Sequence, residues 1–361
     1  MDQYEAFRRI IDAHPTGAPP SEALGEILRI LFTGDEIRIA LAMSFRLKTV
    51  EEIARNAAVT EEKAGRHLEV MAEKGVILCH QTKRGMGYAL IPTAPGLCEN
   101  SLQKKSNNAP SYERLKALWK RYRNDGMISS VCGDPTPLMR IIPVESTLQH
   151  QSHILPYEVV SNLIRSSGTI AVSDCACRMI EQRCNTPIET CFDFGNVAEF
   201  LIEKSLARRV SPEEALAILD ETEKAGLVHC GNNNADKANK ICNCCSCCCL
   251  FLRGLSEFNN PHAIATSSYQ AFVLEDTCTG CGICSSGRCQ VNAIIPWESK
   301  ARVLTERCIG CGLCASACPE GSIELRKREH TPDVPLTLKD MGLQVLKEKG
   351  RLEAFMEVMM K

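Results

Sequence analysis

Aromatic side chains make up only 5% of the 361 residues, so the cores must be built mainly from aliphatic groups. No stretch approaches the roughly 20 consecutive apolar residues of a membrane span. The first residues, MDQYEAFRRIIDAHP, lack the apolar run of a secretory leader. Net charge is −2, which gives no global field to gather nucleic acid or anionic lipid. Neither GxGxxG nor Gly-x-x-x-x-Gly-Lys occurs, which excludes nucleotide sites of those two kinds. No Ser/His/Asp set or pair of carboxylates stands out. These absences point to a reducing cytoplasm, where cysteines serve as metal ligands or redox thiols rather than disulfides.

What the chain has in excess is cysteine, 22 residues of it. The most ordered run reads CTGCGICSSGRC from Cys278, then CIGCGLCASACP up to Pro319. Each half sets three cysteines two residues apart and adds a fourth. Thiolate is a soft anionic ligand that suits iron–sulfur iron. Three at this spacing wrap three corners of a cubane, and the fourth corner comes from the other half. The expected sets are Cys278, Cys281, Cys284 and Cys318 for one 4Fe-4S cluster, and Cys308, Cys311, Cys314 and Cys289 for a second. Glycines in CTGCG and CIGCG let the backbone curl and aim N–H groups at the sulfides. Paired Cys-x-x-Cys also makes zinc ribbons, an alternative that the repeated triplet disfavours. Over about Thr266–Glu329 the sequence resembles a bacterial two-cluster ferredoxin domain. The second half carries the whole pattern, including Pro319. The first departs from it: four residues separate Cys284 from Cys289, and Gln290 stands where proline is usual.

A second constellation precedes it. TIAVSDCACR reads as a buried strand running into a ligand loop, with Cys175 and Cys177, and Cys184 and Cys191 follow. A helix opened by Ser211-Pro212-Glu213-Glu214, read as a capping box, runs to Gly226. Then ICNCCSCCCL brings Cys242, Cys244, Cys245, Cys247, Cys248 and Cys249. Adjacent residues of an extended chain face opposite sides, so the two sides of this run can serve two centres. The thiols suffice for two further cubanes, or for one unusual assembly with more than four thiolates. Metallothionein-like zinc or copper binding and a redox disulfide are the alternatives. Cys230 reads as a bystander, and Cys79, Cys98 and Cys132 as small buried apolar residues. Arg178, Arg183 and Lys240 could offset cluster charge, although such residues more often lie at the surface.

The rest is helical or connecting. Ser21 caps a helix with apolar Leu24, Ile27, Leu28 and Leu31, and Ile37–Phe45 continues the helical pattern. TVEEIARNAAV, TEEKAGRHLEVMAEKG and VILCHQTKRGMGYALI read as helix, helix and hairpin. That order resembles a winged helix-turn-helix domain, often a DNA reader. Its second helix balances Lys63, Arg66, His67 and Lys74 against Glu61, Glu62, Glu69 and Glu73, which suits protein docking better than phosphate binding.

The expected class is α+β multidomain. Residues 1–100 hold the N-terminal helices and winged helix-turn-helix, and 101–155 a helical and Pro-rich linker. A cysteine-rich mixed α/β metal-binding domain spans 156–265, a two-cluster ferredoxin-like domain 266–330, and a C-terminal helical tail 331–361. As a whole the chain resembles a group of 4Fe-4S-binding proteins of anaerobic bacteria and archaea. That resemblance implies electron transfer with a redox partner protein. Beside the two ferredoxin clusters, one or two further iron–sulfur clusters are expected in the middle domain. The winged helix or the C-terminal helices could pair two copies. A redox enzyme acting on a small substrate at CNCCSCCC, and a redox-responsive DNA-binding regulator, are the competing readings.

Overall fold

The computed structural model describes residues 2–103, 110–148, 154–331 and 333–361. Residues 104–109, 149–153 and Pro332, read from sequence as polar or linker stretches, lie outside the described residues. The chain opens with α1 (Gln3–Asp12), α2 (Glu22–Leu31) and α3 (Gly34–Ala40). Ser21 caps α2 by accepting the Ala23 N–H, and Leu24, Ile27, Leu28 and Leu31 form its buried face. The helical pattern read over Ile37–Phe45 stops early, at Ala40.

Next come β1 (Lys48–Thr49), α4 (Val50–Ala57), α5 (Glu61–Glu73), β2 (Ile77–Thr82) and β3 (Gly85–Leu90). Thr49 and Thr60 cap the two helices through their side chains. The three strands form one sheet in the order β1-β3-β2. Several charges on α5, and Lys74 just after it, are paired within the protein. Lys204 Nζ lies 3.2 Å from Glu69 and 2.9 Å from Glu73, Lys74 pairs with Glu36 at 2.7 Å, and Lys63 with Asp35 at 3.0 Å.

A short α6 (Cys98–Asn100), α7 (Pro110–Tyr122) and α8 (Ile128–Cys132) follow. Trp119, Tyr122 and Arg123 are fully buried. The Pro-rich stretch expected to drape over the surface contains β4 (Met139–Ile141), the edge strand of a six-stranded sheet. Prolines 135, 137 and 143 frame a strand too short to show alternation, and an edge position tolerates them.

That sheet adds β5 (Ile170–Asp174), β6 (Glu189–Phe194), β7 (Arg208–Val210), β8 (Val228–Asn232) and β9 (Lys240–Cys244). Helices α9 (Val160–Arg165), α10 (Ala176–Glu181), α11 (Gly195–Glu203) and α12 (Pro212–Lys224) alternate with its strands, and α13 (Leu250–Ser256) follows the last of them. The order is β4-β8-β9-β6-β5-β7, and the pairs are antiparallel. Two local readings change here. The CACR segment is not a loop, because α10 begins at Ala176, straight after Cys175. Ser211 caps α12, but Glu214 turns to Arg208 at 2.5 Å, so the reciprocal half of the capping box is missing.

The second cysteine-rich region is built from β10 (Tyr269–Val273), β11 (Ile294–Trp297), β12 (Lys300–Val303), α14 (Leu313–Ser316) and β13 (Ile323–Lys327). β10 pairs with β13 and β11 with β12. Its apolar residues share one core with β4, β8 and α13, from Met139 and Val228 to Leu252 and Ile264. The tail folds as α15 (Leu338–Glu348) and α16 (Leu352–Met360), broken at Gly350. It packs on the N-terminal helices. Phe355 stacks on Phe45, and the Arg351 guanidinium donates to the Asp12 carbonyl at 2.8 Å. Among the described residues no helix is long and apolar enough to cross a membrane.

Candidate metal centres

All 22 cysteines are free thiols. In the C-terminal unit, Cys278, Cys281, Cys284 and Cys318 line one hollow, together with Gly280, Gly282 and Pro319. Cys318 thus meets the triad of the other half. The second set gathers separately. Burial pushes the Cys314 thiol well up, helped by the neighbouring Cys311, Cys308 and Cys289. Burial likewise raises Cys311 to about 12, beside Cys308 and Cys289.

The two halves are built alike at their fourth cysteines. Cys289 Sγ accepts the Ala293 N–H at 3.0 Å, and Cys318 Sγ accepts the Ser322 N–H at 3.2 Å. Cys308 Sγ accepts the Ala271 N–H at 3.5 Å. Gly280 and Gly310 occupy matching positions with φ of +68° and +72°. A Cβ there would run into the Ser299 and Tyr269 carbonyls respectively, so both turns require glycine. A hollow ringed by four thiols, with N–H groups already donated to sulfur, fits a 4Fe-4S cluster.

The extra residue of the first half has a structural use. The segment Cys284–Arg288 departs from helical geometry at Ser286 and Gly287, and Arg288 is carried outward. Its guanidinium donates to the Glu223 and Lys224 carbonyls at 2.8 and 2.9 Å, at the C-terminal end of α12, where the helix dipole favours a cation. Gln290 donates to the Gly226 carbonyl at 2.9 Å. Where a proline is usual, this chain has a side chain that ties the unit to the six-stranded sheet.

The other ten predicted cysteines sort into two groups, though not by alternation along one strand. The extended part ends at Cys244, and residues 246–248 form a turn. That turn places Cys245, Cys247 and Cys248 beside Cys184, all four sulfurs lying within 4.8 Å of one another. Hydrogen bonds from Cys248, Cys247 and Cys184, with the charge of Arg178, hold Cys245 down to about 4 despite its burial.

Cys175, Cys177, Cys191, Cys242, Cys244 and Cys249 form the other group, buried except for the half-buried Cys177 and Cys242, and Cys177 also packs against Cys245 and Cys248. Cys177 neighbours Cys175, Cys175 neighbours Cys191, Cys191 neighbours Cys242, Cys242 neighbours Cys244, and Cys244 neighbours Cys249. Donation from Cys191 and Cys244 lowers Cys242 to about 7. Cys230, read as a bystander, lies beside this group. It stands opposite Cys242 in the β8–β9 register and is fully buried, its thiol donating to the Val228 carbonyl at 3.6 Å. It shares a core with Cys311 of the C-terminal unit. The one available signal was its place in the apolar run LVHC after α12, which marks a buried strand.

Buried cations face these thiols. Arg178 is 4% and Lys240 8% exposed, so neither is a surface residue, whereas Arg183 is partly exposed and pairs with Glu257 at 2.6 Å. Lys240 sits 2.7 and 2.8 Å from the two Asp193 oxygens. Arg123 was not singled out from sequence. Its guanidinium donates to the Cys248 carbonyl at 2.8 Å and its Nη1 lies 3.4 Å from the buried Glu181 carboxylate, while its Nε, like Arg178 Nε, has no hydrogen-bond partner. Buried cationic N–H groups left open beside thiols fit an anionic iron–sulfur assembly.

Residues 301–324 match the sequence model of the 4Fe-4S binding domain. The matched stretch contains Cys308, Cys311, Cys314 and Cys318. No curated protein matches the chain. The chain is therefore an iron–sulfur protein with a 4Fe-4S binding domain in its C-terminal cysteine unit.

Proposed function

We propose that the chain is an electron-transfer protein with two ferredoxin-type 4Fe-4S clusters and a further iron–sulfur assembly in the six-stranded sheet. Cys278, Cys281, Cys284 and Cys318 hold one cluster, and Cys308, Cys311, Cys314 and Cys289 the other. Cys175, Cys177, Cys191, Cys242, Cys244 and Cys249, with Cys230, hold the assembly. When bound, such clusters supply one-electron transfer at low potential. The chain's own residues exclude water from the thiols, donate N–H groups to sulfur and offset negative charge with Arg123, Arg178 and Lys240. The observation that carries this reading is Cys230, which shares one buried core with Cys244 of the sheet and with Cys308, Cys311 and Cys314 of the C-terminal unit. Cys281 is exposed, and a redox partner would dock there. A reducing, low-oxygen cytoplasm suits the reading.

The N-terminal helix–helix–hairpin is read as a winged helix-turn-helix used for internal docking, since Glu69 and Glu73 hold Lys204 of the neighbouring unit. DNA binding is not expected from it. EPR during a reductive titration of anaerobically purified protein, with iron and sulfide counts, tests the proposal. More than about eight acid-labile sulfides per chain, with iron to match, are expected; about eight sulfides or fewer would remove the assembly in the sheet.

A second reading, a redox enzyme, is favoured by one cavity. Glu99, Lys240 and Asp193 share its lining with His14, Asn232 and Asn239. Burial pushes the Glu99 carboxyl up, and Lys240 lies next to Cys191 and Cys242. A carboxyl able to hold a proton beside a thiol-rich centre suits coupled proton and electron delivery. Substrate-dependent reoxidation of the reduced protein, lost in Glu99→Gln with its EPR unchanged, would favour this reading over a simple carrier.

A further inference from the structure

Four thiols stand closer together than a cubane permits. Cys184 Sγ lies 3.7 Å from Cys245 Sγ and 3.9 Å from Cys248 Sγ, and Cys247 Sγ lies 3.7 Å from Cys248 Sγ. Four sulfurs around a single ion, each bonded at about 2.3 Å in a tetrahedron, stand about 3.8 Å from one another. On a cubane each thiolate binds a different iron, so the sulfurs spread over a wider tetrahedron. Among the described residues, only the Cys184 set draws within 4.8 Å.

The local chain explains the tight set. The Cys249 N–H donates to the Cys245 carbonyl at 3.0 Å, which closes a turn over Cys245–Cys249. A turn, unlike a strand, can aim Cys245, Cys247 and Cys248 inward together. Cys184 arrives from beyond α10, where Thr186 Oγ1 lies 3.3 Å from its sulfur. Leu227 and Ala225 pack around the group, while Cys184 and Cys247 remain partly accessible, so an ion can enter.

We propose that Cys184, Cys245, Cys247 and Cys248 bind one tetrahedral, thiophilic divalent ion, zinc or ferrous iron, in an all-thiolate site without sulfide. The site adjoins the C-terminal unit. Ser246, between two of its ligands, is held by Gln290, and Gln290 follows Cys289 directly. The ion therefore locks the 245–248 turn against the segment that carries Cys289. It also removes four thiols from those available to further clusters.

The test is a metal and sulfide count on the anaerobically purified full chain and on Cys184→Ser and Cys247→Ser. Each variant is expected to lose one metal atom per chain, with acid-labile sulfide and the EPR of the reduced clusters unchanged. Loss of zinc identifies a zinc site; loss of a single iron identifies a rubredoxin-type site. Loss of about four irons with about four sulfides, or no loss of metal, overturns the proposal. Should the variants not fold, the wild-type chain expressed in cobalt-supplemented medium provides a second readout. One equivalent of cobalt with the visible spectrum of a tetrahedral tetrathiolate is expected, and its absence overturns the proposal. Failure here leaves the iron and sulfide of the C-terminal unit untouched, so it is distinguishable from failure of the electron-transfer reading.

Discussion

One side-chain oxygen of Gln290 accepts both the backbone N–H and the hydroxyl of Ser246, at 2.9 and 3.0 Å. With its donation to Gly226, Gln290 spans two loops of the sheet unit from a position inside the C-terminal cysteine motif. Gln290→Ala removes these three bonds, with a longer one to the Gly287 carbonyl, and leaves the partly buried Ser246 groups without their acceptor. The expected loss is about 1–3 kcal/mol of unfolding free energy, measured by anaerobic denaturant titration. Hydrogen exchange should quicken over residues 242–249, while iron content stays unchanged.

Cys318 lies in the second motif yet lines the hollow of the first triad. Cys318→Ser and Cys281→Ser should therefore remove the same cluster, each lowering iron by about four atoms and leaving the same residual EPR signal. Cys289→Ser and Cys311→Ser should remove the other. A shared residual signal in Cys318→Ser and Cys311→Ser would show that each motif fills its own fourth corner.

Lys240 and Asp193 form an ion pair whose members are 8% and 5% exposed. Burial works against the ammonium, but Asp193 and the thiols of Cys242 and Cys191 outweigh it, and the Lys240 pKa is raised. Lys240→Met strands the carboxylate, at an expected cost of about 3–5 kcal/mol. The double variant Lys240→Met with Asp193→Leu should be much less destabilised. A double-mutant cycle in denaturant checks both values.

Burial pushes the His14 imidazole down to about 3, with the charge of Lys349 acting the same way. Its Nδ1 accepts the Thr16 N–H at 3.3 Å, and its ring lies 4.9 Å from that of Phe45. Above pH 6.5 neither the folded nor the unfolded state holds this proton. Between about 6.5 and 3 the unfolded chain takes it up and the folded chain does not, so stability falls as pH falls. The slope from this residue is at most about 1.4 kcal/mol per pH unit. His14→Gln should flatten the profile between pH 7.5 and 5.5, followed by denaturant unfolding at each pH.

The sequence exposed those features whose determinants are local. Thr49, Thr60 and Ser21 announced helix starts because a cap acts on its own first turn. The two Cys-x-x-Cys-x-x-Cys runs were readable because a single loop presents all three ligands. The partition of the other ten cysteines was not readable, because it depends on sheet pairing and on one turn. Cys230 comes beside one of the two groups only through standing opposite Cys242 in the sheet. Cys245, Cys247 and Cys248 separated from Cys242 and Cys244 only because the strand ends between them. Arg123 and β4 escaped notice for related reasons: a buried arginine looks like a surface one in sequence, and three residues between prolines carry no period.

The continuous core beneath the C-terminal cysteine unit bears on how such a molecule can be rearranged. Met139, Val228, Leu252 and Ile264 pack with Tyr269, Leu313 and Leu325 in one body. Cut at residue 266, the unit would present this apolar face to water, and Arg288 and Gln290 would reach towards nothing. It is not a cassette that can be moved to another host alone. Recombination that respects the packing must carry the strands bearing Cys230 and Cys244 with it.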